Sequence, residues 1–280
     1  MQATVQARGH LGTTEATGRD RARQIVVAVS AVLALAGSFV GSGAVIGTPI
    51  AEAAGGALGA DATLVAPGTG AFQIWGVIYL GLVAYAVWQL LPAQATAERH
   101  RRLGYPVAAS LLLNAAWILS IQADLLALSV PVIALLLIVL VVCFRRALAS
   151  RPANVVDTIV TDGTLGLYLG WVSVATAANV TALLVAEGFR GFGVAPDAWG
   201  VAIVAVAGVV GAVVAVSGHG RIAPALSLSW GLAWIAVARL TGTLPSVPTA
   251  IAALVAVAAV VVVTVVARVR APRGPRALRG

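Results

Sequence analysis

Residues 162–186 read DGTLGLYLGWVSVATAANVTALLVA, and no charged side chain stands between Asp162 and Glu187. A stretch of that length is enough to cross the roughly 30 Å hydrocarbon core of a bilayer as one helix. Set into it are Tyr168, Trp171 one turn later, and Asn179 two turns further on. Polar groups are unfavourable in hydrocarbon, so side chains of this kind face a bundle interior, a partner or a ligand. Two other apolar stretches carry the same inlay: Phe72, Trp75 and Tyr79 in one, Asn114 and Trp117 in the other.

The whole chain has the texture of this segment. Of its 280 residues, 60% are hydrophobic and 10% charged, with a mean hydropathy of +0.98. Soluble domains carry about 25% charged residues, so the composition points to an all-α integral membrane protein. Apolar runs recur at 25–47, 72–92, 105–122, 127–147, 162–186, 198–217, 221–240 and 247–268, which predicts a polytopic helical bundle of about eight spans. Only Gln122, Ala123 and Asp124 separate the third span from the fourth. Pro106, Pro131 and Pro224 are placed in first turns, where a missing N–H is tolerated. Residues 1–24 are read as a flexible tail and 269–280 as a basic one. Ala51-Glu52-Ala53 has the form of a signal cleavage site. The run before it, however, is longer than the roughly 7–15 residues of a signal core, so it is read as a retained span.

Every basic residue is Arg, and the net charge is +8. With the N-terminus inside, 16 of the 18 Arg fall on inner segments, and only Arg190 and Arg239 lie outside. That is the positive-inside pattern of a multi-pass protein with both termini cytoplasmic, here in the plasma (inner) membrane. It also accounts for the basic charge without nucleic acid as a partner. The remaining partners expected are the bilayer and a hydrophobic small molecule. Gly37, Gly41 and Gly43 make a small-residue face that suits either a homodimer contact or packing within one chain.

Each inlay has a plain reading beside a functional one. Phe72, Trp75, Tyr79, Leu82, Ala86 and Gln89 share a helix face, which is either an aromatic packing face or one wall of a ligand cavity. Asn114 is either interhelical glue or a ligand contact. Gly166 and Gly170 allow close helix approach near Trp171. Trp230 and Trp234 face either the interior or lipid. No catalytic set is recognisable: Asp124, Asp157 and Asp162 fall at predicted helix ends, with Asp162 placed to cap the fifth span. His10, His100 and His219 are too scattered to form a metal site. Intramembrane acids or His, usual in ion-coupled transport, are not predicted.

The segments Ala71–Tyr79, Leu113–Trp117 and Tyr168–Asn179 together resemble the translocator protein / tryptophan-rich sensory protein family (TspO/MBR), in particular its longer bacterial relatives. The resemblance covers residues 25–186 and implies a TspO-like five-helix core, with 187–268 as three additional helices. It also implies a cavity lined by Phe72, Trp75, Tyr79, Asn114, Trp117, Tyr168, Trp171 and Asn179. Such a cavity takes a porphyrin or haem, or a sterol-like molecule, as ligand, and no cofactor is required. The family's first loop usually carries a Trp and paired prolines; here 48–71 has only Pro49 and Pro67 and no Trp. The expected function is a non-enzymatic membrane receptor or carrier. The alternatives are a small-solute transporter and a porphyrin-degrading membrane protein.

Overall fold

A computed structural model describes residues 15–41 and 47–271. Among these there is no strand, and eight helices are long and apolar enough to cross a membrane. They are α1 (Gly18–Gly41), α2 (Ile74–Leu90), α3 (Glu98–Gln122), α4 (Leu126–Leu148), α5 (Thr164–Ala186), α6 (Pro196–Ser217), α7 (Ile222–Thr241) and α8 (Val247–Arg270). The protein is therefore the all-α polytopic membrane protein that composition demanded. Residues 1–14, Gly43 and 272–280, on which the tail and small-face expectations partly fall, lie outside the described residues.

Helix packing gives a ring and an annex. α1 packs on α2 and α3, α3 on α4, α4 on α5, and α5 returns to α2. α7 lies against α5, and α8 packs on both α6 and α7. Hydrocarbon supplies no hydrophobic drive between helices, so close approach depends on small residues. Gly166 and Gly170 seat α7 on α5: a methyl carbon at Gly170 would lie 2.1 Å from the Pro224 carbonyl oxygen. Gly200, Gly208 and Gly211 do the same for α6 against Thr249, Ala256 and Val260 of α8. Gly37 packs on Ala115 of α3, which gives this glycine a role inside the monomer.

Two helices start earlier than hydropathy predicts, α1 at Gly18 inside the segment read as a tail and α3 at Glu98, and both bring charge into the bundle, Asp20 and Arg23 in α1. α3 begins at Glu98, so Arg99 and His100 enter the bundle and are 6% and 1% exposed. The Arg99 guanidinium bonds Asp162, lies 3.5 Å from Asp157, and donates to the carbonyl of Ser150 at 2.6 Å. Arg221 reaches the same Asp162 carboxylate at 2.8 Å, so one ionic knot ties α3, the α4 end, the approach to α5 and the start of α7. Paired in this way, the charges lose less by leaving water.

Two expectations are corrected here. Asp162 does not cap the fifth helix: it sits in a π-helical turn, Thr158–Gly163, and spends its carboxylate on the two arginines. Pro106 and Pro131 lie beyond the first turns of α3 and α4, whereas Pro224 is where it was placed. Pro106 has no N–H to offer the Arg102 carbonyl one turn back. Arg146 of α4 donates to that oxygen instead, at 2.7 Å.

At the opposite end, away from the Arg-rich segments, α3 turns into α4 within Ala123–Leu125, with Asp124 in the left-handed region at φ 58°. The long connection from α1 to α2 also lies at this end. Thr48 exchanges two backbone bonds with the Gln122 side chain, at 3.2 and 2.7 Å. Beyond it come a short 3-10 turn, Ala54–Gly56, and a second, Thr69–Gln73, that leads into α2.

Candidate functional site

The three inlays meet. Trp75 stacks on Tyr79 with ring centroids 5.3 Å apart, which is the one-turn spacing on a helix realised as a face. Edge-on contacts join Trp75 to Tyr168 at 5.9 Å and to Trp171 at 6.2 Å, and Phe72 to Trp171 at 5.9 Å. T-shaped pairs of this kind place the positive edge of one ring on the negative face of another.

The amides connect the same helices by hydrogen bonds. Asn114 Nδ2 donates to Tyr79 Oη at 2.6 Å, linking α3 to α2. Trp117 Nε1 donates to Asn179 Oδ1 at 2.8 Å, and Asn179 Nδ2 donates onward to Ser129 Oγ at 2.8 Å, linking α3, α5 and α4. Tyr168 Oη donates to the Ser110 carbonyl at 3.2 Å. Asn114 and Tyr168 have no exposed surface at all.

A small cavity of about 30 Å³ lies at the centre of this arrangement. Five of the eight predicted residues line it: Phe72, Trp75, Trp117, Trp171 and Asn179. Tyr79, Asn114 and Tyr168 are not among its lining; they brace the wall from behind through the stack and bonds just described. The remaining lining was not legible as a site, because it is made of small residues. Ala175 and Ala178 supply the α5 floor, and the α1–α2 connection supplies Ala57, Leu58, Thr63, Ala66 and Pro67 as a lid. Arg190 does not line this cavity; it lines a larger apolar groove of about 910 Å³ that runs along α5 and α6 and meets the cavity lining at Thr63.

Several polar atoms in and behind the wall have no protein partner. They are the indole N–H groups of Trp75 and Trp171, Thr63 Oγ1 and Asn114 Oδ1, all buried. Buried polar groups are nearly always paired in folded proteins. Two indole donors and a hydroxyl of residues that line the aromatic chamber thus stand without a protein partner.

A family model described as TSPO-like protein matches residues 24–267. The chain belongs to the TSPO-like protein family. The match runs through all eight helices and does not stop at the fifth. No curated protein and no solved structure matches the chain significantly. Membership places this TSPO-like protein among multi-pass membrane proteins of ligand binding and transport.

Proposed function

We propose that this TSPO-like protein is a membrane receptor or carrier that binds a hydrophobic aromatic ligand, a tetrapyrrole or sterol-like molecule, in the Trp-lined cavity. The observation that carries this is the convergence of Phe72, Trp75, Trp117 and Trp171 from four elements, with the indole N–H groups of Trp75 and Trp171 buried and accepted by no protein atom. Indole faces stack on flat macrocycles and bury large areas, while a few placed donors fix orientation.

The cavity is narrow in this state. About 30 Å³ admits only water-sized groups, whereas sites for drug-sized ligands run to roughly 300–1,000 Å³. A ligand of the proposed class therefore enters only as the lid lifts and the rings part. With the Arg-rich end cytoplasmic, as the positive-inside pattern requires, the lid faces the outer side of the plasma membrane.

Titration of the purified protein with protoporphyrin IX tests the proposal. Saturable one-to-one quenching of Trp fluorescence is expected, weakened about tenfold or more by Trp171→Ala, since an aromatic contact is lost together with its area. Quenching that never saturates, or equal affinity in parent and variant, overturns the reading. Transfer of bound protoporphyrin between vesicle populations then separates a carrier from a receptor.

A further inference from the structure

The lid lies between two structures. Its underside, Ala57, Leu58, Thr63, Ala66 and Pro67, faces the aromatic cavity, and its outer edge is fastened to α7. The fastening is specific. Trp230 Nε1 donates to the Ala71 carbonyl at 2.9 Å, and Gly68 N–H donates to the Trp234 carbonyl at 3.1 Å. The Trp234 ring lies flush on the lid backbone: a methyl carbon at Gly70 would come within 2.2 Å of the ring, and one at Gly68 within 3.0 Å. Arg239, 1% exposed although it is near a helix end, donates to the Ala60 carbonyl. Val65 of the lid is buried in the apolar core that α6, α7 and α8 share.

A glycine pair under an indole, one indole-to-backbone and one backbone-to-backbone hydrogen bond, and a buried guanidinium together make a joint, not an incidental contact. The first loop has no Trp of its own, and it is α7 that brings indoles to it. We propose that α6–α8 form the latch of the cavity: the lid opens by release from α7, with Trp230 and Trp234 as the positioning residues that set how often it does so. This rests on the cavity being the ligand site, but lid release can be measured without any ligand.

The chain has one cysteine, Cys143, buried in α4. A thiol introduced by Ala66→Cys, on a lid residue 4% exposed, reports opening through its rate of maleimide labelling in the full-length protein. Trp230→Phe keeps the ring and removes one fastening bond, and Trp234→Leu removes the indole from the glycine pair. Each is expected to raise labelling at position 66 about fivefold, the scale of one net hydrogen bond's effect on a local opening. Protoporphyrin IX association should quicken in parallel. Labelling of Cys143 stays at the parent rate, as does the lid rate in Leu226→Ala, an exposed site on the same helix.

Unchanged lid labelling in Trp230→Phe overturns the latch, as does equal acceleration at Cys143, which would mean general loosening. Trp230→Phe decides the matter even if Trp234→Leu does not fold. Faster lid labelling with no saturable protoporphyrin binding in any variant keeps the latch and removes the tetrapyrrole reading.

Discussion

Trp117 and Trp171 carry the same indole and use its N–H differently. Trp117 gives its proton to Asn179, which passes the chain on to Ser129, so three helices depend on one donor. The N–H of Trp171, like that of Trp75, has no partner in the protein. Trp117→Phe should therefore destabilise the bundle by about 1 kcal/mol, because Asn179 Oδ1 stays buried without its donor. Trp75→Phe should cost less than Trp117→Phe, because it trims ring packing but removes no protein hydrogen bond. It should nevertheless weaken protoporphyrin binding. Thermal unfolding in detergent beside the fluorescence titration checks both; a larger stability loss from Trp75→Phe would contradict the assignment. Sequence spacing marked both tryptophans equally, since a helical repeat shows a face and not a bonding partner.

Glycines at the element scale show which faces are filled. Gly170 meets Pro224 and Ser227 of α7, whereas a methyl at Gly76 of α2 would meet nothing within 4 Å. Gly170→Ala should cost about 1–3 kcal/mol through overpacking and push α7 outward. Gly76→Ala should be neutral or stabilising by up to about 1 kcal/mol, since Ala is the better helix former. Melting temperatures of the two variants decide this, and similar losses in both would mean that α5 and α7 do not pack as described. Close approach at Gly166 and Gly170 was readable from their spacing. That α7 is the helix received there was not, because apolar Ala/Val/Leu faces give little clue to which neighbour they meet.

Across the whole molecule, most Arg residues gather at one end and the aromatic site lies toward the other. The ionic knot of Arg99, Asp157, Asp162 and Arg221 closes the Arg-rich end, while the lid and its α7 fastenings close the opposite one. Breaking a buried pair leaves an uncompensated charge, so Asp162→Asn should destabilise by about 3–5 kcal/mol. A lowered melting temperature, with less folded protein recovered from membranes, is the expected result; a parent-like melting curve would show that the knot is not structural. Asp157 and Asp162 were expected at helix ends, and they are near them. Their burial was hidden because hydropathy averages over a window and cannot see that an Arg and an Asp some sixty positions apart neutralise each other.

Composition and the spacing of apolar runs by themselves determined the class, the eight spans and the three tryptophan-bearing faces. Hydrocarbon permits only segments that satisfy their own backbone hydrogen bonds, so length and polarity leave little choice. The convergence of those faces, the small size of the cavity, the lid of small residues and the fastening of that lid by Trp230, Trp234 and Arg239 were decided by the tertiary structure alone. Each depends on contacts between segments far apart in the chain. In a membrane such contacts are made by glycine, alanine and backbone carbonyls, which leave little signature in sequence.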